Sequence, residues 1–289
     1  FGSSSMVLNT SGNRNSAFGY NVLYSNTTGS NNSAFGYQSL YNNVDGHENT
    51  AFGNEALFNL ASSWENCAFG YQSLYNNQSS NNTAVGFKSL FANTSGFGNT
   101  ALGYFALSSN TTGTNNTVIG VNSGSTITTG SNNIVIGNTA NVPTGTASNQ
   151  IRLGNTSITY AGIQVAWTVT SDGRLKKNIL NSNLGLSFIN KLRPVSYTRI
   201  NDESGKTEYG LIAQEVEDAL KQENTENMGM LTVTNEGEYQ LRYNDLLAPM
   251  IKAIQELKTM NDELKADNDE LKKRIEKLEE NNTQLTNNK

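Results

Sequence analysis

Apolar and polar positions in this chain follow two different rhythms. In the first half an apolar residue followed by glycine returns almost every 17 residues. The pairs are Phe1-Gly2, Phe18-Gly19, Phe35-Gly36, Phe52-Gly53, Phe69-Gly70, Val85-Gly86, Leu102-Gly103, Ile119-Gly120, Ile136-Gly137 and Leu153-Gly154. One step, from Gly70 to Gly86, is 16. Each unit carries further apolar positions, such as Leu40 and Tyr41, Leu57 and Phe58, or Leu74 and Tyr75. A second small residue tends to fall ten positions after the marker glycine, as at Gly12, Gly29, Gly46, Ser63 and Gly96, and Asn with Ser or Thr follows it. A fixed short period marks a stack of coils, none of which stands alone. Gly and Asn tolerate positive φ and suit the corners. Two breakers in 17 residues leave no room for a useful helix. Each unit is therefore expected to be a strand, a turn, a second strand and another turn. The pattern predicts a parallel β-solenoid or β-roll of about ten 17-residue coils over residues 1–155. Stacked Phe and Leu side chains are expected in its core, at about 1.5–3 kcal/mol for each one buried. Asn amides are expected to ladder at matched corners.

The rhythm changes after Gly154. Residues 156–170 alternate and are rich in β-branched side chains, which predicts strands leading out of the stack. At the far end Leu257, Leu264, Leu271, Leu278 and Leu285 recur every seven residues. Taking these and Met250 as d places Leu247, Ile254, Asn261, Asn268, Ile275 and Asn282 at a. That predicts a coiled coil over 246–289. Asn at a fixes parallel register at some cost in stability, and Ile at a with Leu at d by itself favours two strands.

Composition narrows the function. The net charge of −5 argues against a nucleic-acid footprint. Residues 1–170 hold only Asp45, Glu48, Glu55 and Glu65 against Arg14, Lys88 and Arg152, so the repeat is nearly uncharged and the rest is an ordinary charged domain. Membrane insertion is not expected, since no apolar run is long enough to span a bilayer. The chain opens in mid-coil, which suggests a fragment. Cys67 stands where sister units have Ser33 or Thr50, and His47 sits at a repeat corner. With one cysteine and one histidine, no disulfide framework, His-based triad or His-based metal site is expected. No cofactor and no metal are implied. The Asn-x-Ser/Thr triplets follow from composition and carry little weight for glycosylation. Glu48 and Glu65, one coil apart, are more simply read as solvated corners than as a catalytic pair.

The repeat units resemble the head repeats of trimeric autotransporter adhesins, which share an Ala-apolar-Gly core with a shorter period. That resemblance implies three chains side by side. A second resemblance covers about residues 170–289. It rests on Ser171-Asp172-Gly173-Arg174-Leu175-Lys176-Lys177-Asn178-Ile179, Leu192-Arg193-Pro194-Val195-Ser196-Tyr197, Tyr209 to Glu217, and Tyr243 to Leu257, in this order. The series is similar to the intramolecular chaperone auto-processing domain that ends phage tail spikes and tail fibres such as endosialidases, and that also occurs inside myelin regulatory factor. It implies a mixed, mostly α-helical chaperone domain over 171–245 before the coiled coil, and a homotrimer.

In that family a Ser-Lys dyad cuts the chain once, and the matching residues here are Ser171 and Lys176. A lysine serves as base only when neutral, which burial and like charges such as Arg174 and Lys177 promote. The family pattern favours cleavage of the Ser171–Asp172 bond. Geometry leaves an alternative, attack on the Thr170 carbonyl by an N-to-O shift, because a serine does not easily reach its own carbonyl. Attack from a neighbouring protomer is compatible with the first. Asp172 is either a turn residue or an orienting group. Gln214 and Glu215 are either part of a structural strand-to-helix segment or support for the dyad.

The expectation is a trimeric tail fibre or tail spike segment in a virion. Its chaperone domain would drive trimerisation, then release itself by single-turnover Ser-Lys autoproteolysis. A host receptor or glycan would be met through the shaft or through upstream regions. The alternative is a bacterial surface adhesin with a non-cleaving trimerisation module. A membrane-tethered transcription factor is disfavoured by the weakly charged repeat, and a carbohydrate-cleaving spike by its lack of paired acids.

Overall fold

The computed structural model describes residues 2–200, 202–225, 229–234 and 237–287, with backbone alone for 284–287. Phe1 of the first marker pair lies outside the described residues, and Leu285 of the heptad series lies outside the described side chains. The chain forms two compact units, Phe1–Ala161 and Gly162–Lys289.

The first unit is a parallel β-solenoid. Its strands are β1 (Ser16–Phe18), β2 (Ser33–Phe35), β3 (Thr50–Phe52), β4 (Cys67–Phe69), β5 (Thr83–Val85), β6 (Thr100–Leu102), β7 (Thr117–Ile119), β8 (Ile134–Ile136) and β9 (Ile151–Leu153). They form one sheet in sequence order, each residue paired with its equivalent in the next coil, as Ala34 with Ala51. Nine strands make about eight turns, not ten coils.

Each coil holds only one strand; the expected second strand is a turn. After Phe35, Gly36 takes φ +135°, and Gln38 and Leu40 take 54° and 49°. These left-handed residues curl the chain where a strand would extend it. Glycine is required at the marker: a Cβ on Gly53 would lie 2.4 Å from the Gly70 carbonyl oxygen one coil on.

The core differs from expectation in one column. A three-residue strand turns only its middle side chain inward. Ala34, Ala51, Ala68 and Ala84, then Val118 and Val135, are buried there, against Leu23, Leu40, Leu57, Leu74, Leu90 and Leu107. The marker side chains point outward by the same parity, with Phe18 61% and Phe52 47% exposed. The Leu stack is thus core, and the Phe stack is surface.

Two buried Asn columns complete the interior. Asn32, Asn49, Asn66, Asn82, Asn99, Asn116 and Asn133 each direct a side-chain oxygen at the next coil, as Asn99 Oδ1 accepts from the backbone N–H and Nδ2 of Asn116 at 3.0 and 3.1 Å. The other runs through Asn26, Asn43, Asn77, Asn93 and Asn110. It is interrupted where Leu60 and Ile127 occupy the slot, and Asn43 Oδ1 and Asn110 Oδ1, each just before an interruption, are left without a hydrogen bond. At the opposite edge Tyr24, Tyr41, Phe58, Tyr75 and Phe91 stack with ring centroids 5.2–5.4 Å apart.

Residues 156–170 form no strand in the single chain, contrary to expectation. A strand needs a neighbour to complete its ladder, and none pairs with this segment. Val165, Trp167 and Val169 are more than 70% exposed.

In the second unit, helix α1 (Leu186–Lys191) packs on α3 (Leu247–Asn287), and α2 (Ala213–Gln222) closes the core. β10 (Val195–Tyr197) pairs antiparallel with β11 (Glu208–Gly210), and β12 (Leu231–Val233) with β13 (Tyr239–Leu241). Phe188, Val216, Leu220, Leu231 and Leu246 form the core. Glu256 caps α1 by accepting the Leu186 N–H at 2.6 Å, while Lys252 reaches the Ser182 carbonyl. Beyond these contacts α3 presents Ile254, Leu257, Leu264, Leu271, Ile275 and Leu278 at 50% exposure or more.

Gly53→Ala is expected to lose about 1–3 kcal/mol to left-handed strain, with more from the carbonyl clash. Gly173→Ala, whose Cβ meets nothing within 4 Å, should be near neutral. Denaturant melts of both variants check this, and equal stability would refute the packing assigned to the marker. Asn99→Ala strands a buried donor on Asn116, whereas Asn43 Oδ1 serves no donor. Asn99→Ala should therefore cost more than Asn43→Ala, by about 1–3 kcal/mol. The same melts rank the pair.

Candidate functional site

The second unit's sequence motifs are brought together by side-chain chemistry that spacing alone does not reveal. Tyr243 Oη accepts the Leu211 N–H at 2.9 Å. A Cβ on Gly210 would lie 2.4 Å from that oxygen, which explains a glycine between Tyr209 and Leu211. Val195 pairs with Gly210, and Tyr197 donates to Glu208 at 3.1 Å. Arg193 grips Glu215 through two hydrogen bonds. Three separated motifs thus meet around one antiparallel pair.

The fourth motif is a tight turn. Gly173–Leu175 is a single 3-10 turn whose Arg174 N–H is capped by Asp172. Asp172 Oδ1 accepts the Arg174 backbone N–H at 2.9 Å, and the Arg174 guanidinium closes on the same carboxylate at 2.6 Å. The turn folds residue 176 back towards residue 171. Lys176 Nζ donates to Ser171 Oγ at 2.8 Å. The two residues singled out from the sequence are therefore in direct contact, and both are exposed in the single chain.

The electrostatics are local. The Arg174 side-chain hydrogen bonds hold the Asp172 carboxyl below its usual range, and Asp172 in turn raises the Arg174 guanidinium. Arg174 thus spends its charge on Asp172 instead of standing as a free like charge beside Lys176. Asp172 is a capping and charge-pairing residue in this turn. Glu215 is turned to Arg193, and Gln214 is exposed on α2. Among the described residues no hydrogen bond or ion pair joins either to Ser171 or Lys176. No group of three or more His, Cys, Asp or Glu fit to hold a metal occurs among the described residues. Likewise, no described helix is long and apolar enough to cross a membrane.

Sequence reasoning missed Glu223 and Glu256. Glu223 meets Ser187 and Lys191, 36 and 32 residues away, and Glu256 meets the Leu186 N–H, 70 residues away, contacts that no local pattern announces; only the Lys252–Glu256 pair is local. Glu223 accepts from Lys191 at 2.6 Å and Ser187 at 2.7 Å, tying α1 to the end of α2.

Residues 171–225 match the family model described as chaperone of endosialidase. The match begins at Ser171 itself and includes Lys176, Gln214 and Glu215; the repeat lies outside it. No curated protein matches the chain, and no solved structure does. The match supports a chaperone domain in the second unit, of the kind carried by phage tail proteins, from a family of self-cleaving peptidases.

The Lys191 hydrogen bond, then that of Ser187, holds the Glu223 carboxyl below its usual range. A carboxylate whose pKa is lower folded than unfolded stabilises the fold above the unfolded value, and that contribution is lost as pH falls through the folded value. Glu223→Gln is therefore expected to flatten the acid limb of thermal stability against pH. An acid limb identical to that of the parent protein would assign the pH dependence elsewhere.

Proposed function

We propose that this chain is part of a trimeric fibre or spike of a virion, and that its C-terminal unit is an intramolecular chaperone that leaves by one self-cleavage. The observation that carries the reading is the 2.8 Å contact between Ser171 and Lys176, at the first residue of the family match. Ser171 is the nucleophile and Lys176 its base. The scissile bond is Ser171–Asp172: the serine of a neighbouring chain attacks the Ser171 carbonyl, the Asp172 amine leaves with a proton from Lys176, and water hydrolyses the ester; attack on Thr170 within the chain would instead cut before Ser171. Proton transfer to Lys176 requires a neutral amine, the form that desolvation favours. Enclosure by neighbouring chains would supply the missing desolvation, so cutting follows assembly in this reading. The exposed heptad seam of α3 is the element on which three chains would gather, in parallel.

The physical need for such a domain lies in the repeat. Neighbouring coils are nearly interchangeable, so pairing out of register is cheap, and parallel β-structure forms slowly. A seam that aligns three chains at one end starts every stack on the same coil. After cutting, the fibre persists behind its unfolding barrier.

Ser171→Ala and Lys176→Ala test the dyad. Each variant is expected to stay full-length on denaturing gels and to keep the oligomeric mass, while the parent chain yields a band corresponding to residues 1–171. Normal cutting by either variant removes that residue from the mechanism. A parent chain that forms trimers but never cuts fits the adhesin alternative.

A further inference from the structure

The outward face of the solenoid sheet is built differently from the rest of its surface. The strands and marker glycines present two apolar columns with a trough between them, the second column broken by Asn54, Asn138 and Asn155. One column is Phe18, Phe35, Phe52, Phe69, Val85, Leu102, Ile119, Ile136 and Leu153; the other includes Tyr20, Tyr37, Tyr71, Phe87, Tyr104 and Val121. The marker glycines form the floor, and an apolar groove lined by Phe18, Gly19, Phe35, Gly36, Phe52 and Gly53 opens there. The chain cannot fill this trough itself. A Cβ on Gly36, Gly70 or Gly103 would lie 2.4–2.6 Å from the next glycine's carbonyl oxygen.

We propose that this trough receives the marker column of a second copy of the same chain, and that three copies close a ring by seating column into trough in turn. The inference rests on the trimeric reading above and names the surface through which the shafts meet.

Four observations favour a copy of this chain over another occupant. The first is pitch. Nine rungs spaced about 4.8 Å apart extend roughly 38 Å, and a second solenoid offers knobs at that same spacing along the whole length. The second is area. Thirteen side chains of the two columns are between 37% and 61% exposed. At about 200 Å² for a large apolar side chain they leave on the order of 1,000 Å² open to water. That exceeds the largest apolar patch usual on a monomer and matches one side of a standard protein interface. The third is charge. The two columns carry none, while Glu48 and Glu65 flank one side and Glu55 and Lys88 the other, giving an apolar centre with a polar rim. The fourth is symmetry. Column and trough are neighbouring parts of one face, so each copy can donate one and receive with the other, a head-to-tail contact that closes into a ring of three when successive copies turn by a third of a circle.

The aromatic stack Tyr24 to Phe91 makes a poorer docking surface. Its rings are half-buried, whereas most side chains of the two columns are exposed. The column-and-trough face has the further property that a slip by one coil still mates knob with trough over most of its length. The shaft interface therefore supplies cohesion without register.

The test uses the full chain with Ser171→Ala, to keep it whole, and Cys67→Ser, to remove its only cysteine. Into this background go Phe52→Cys, Tyr71→Cys or, at an exposed corner off the face, Thr28→Cys. Phe52 and Tyr71 are surface residues, and Cys67 shows that an outward strand position accepts cysteine. Mass in solution is measured together with the rate of thiol labelling by a small maleimide. The expected result is a trimer in which the thiols at 52 and 71 react at least about tenfold more slowly than the thiol at 28, as a contact worth about 1.4 kcal/mol gives. A trimer in which all three react alike overturns the interface and leaves the trimeric reading standing. A monomeric chain overturns both.

Discussion

The structure depends on a closure constraint between successive coils. Each coil's short strand bonds the next, and each marker glycine sits against the carbonyl of the glycine above it. Any Cβ there would force the coils apart, so the 17-residue beat records a close approach of backbone to backbone. From that approach follow the small core, the left-handed residues that turn the chain within each coil, and the ejection of the marker side chains to the outside. The Asn columns act through the same constraint. They satisfy buried corner groups only because equivalent residues lie one coil apart, and Asn43 Oδ1 and Asn110 Oδ1 lose their partners where Leu60 and Ile127 break the column.

A solenoid built this way is cohesive along its axis and incomplete across it. The outer sheet face of the solenoid is apolar and open in the single chain, and so, in the second unit, are Val165, Trp167, Val169 and the seam of α3. The second unit provides the complementary property. Its α3 seam has a heptad pattern interrupted by Asn261, Asn268 and Asn282, which in the proposed trimer would give a parallel pairing a defined register. In the proposed trimer the shaft would offer much contact area with little register, and the C-terminal unit would offer register with little area. The Ser171–Lys176 contact lies early in the second unit, which starts at Gly162.

Much of the fold was legible because a stack repeats its signal. Nine copies of one strand make the period, the Leu column and the Asn corners visible without a structure. What misled was parity. In a three-residue strand the middle residue faces inward, so Ala34 is core and Phe35 is surface, although hydrophobicity ranks them the other way. The second strand failed for a backbone reason: Leu40 adopts a left-handed conformation that nothing in a leucine announces. The contact between Ser171 and Lys176, as distinct from their proposed roles, follows from their spacing, because five residues fold back in one tight turn. The Arg174–Asp172 pair was not anticipated, and it redirects a charge that the sequence placed beside the lysine. Glu215 was legible as a polar residue at the start of a helix, yet its partner Arg193 lies 22 residues away. Such pairs depend on tertiary placement that local pattern does not encode.

The central claim is that the C-terminal unit builds a shaft that afterwards persists without it. Refolding from denaturant tests this most directly, by comparing the uncut Ser171→Ala chain with the shaft released by cutting. The account predicts that the released shaft, stable until denatured, fails to recover its β-signal and oligomeric mass on dilution, while the uncut chain recovers both. A released shaft that refolds as completely and as fast as the uncut chain would contradict it.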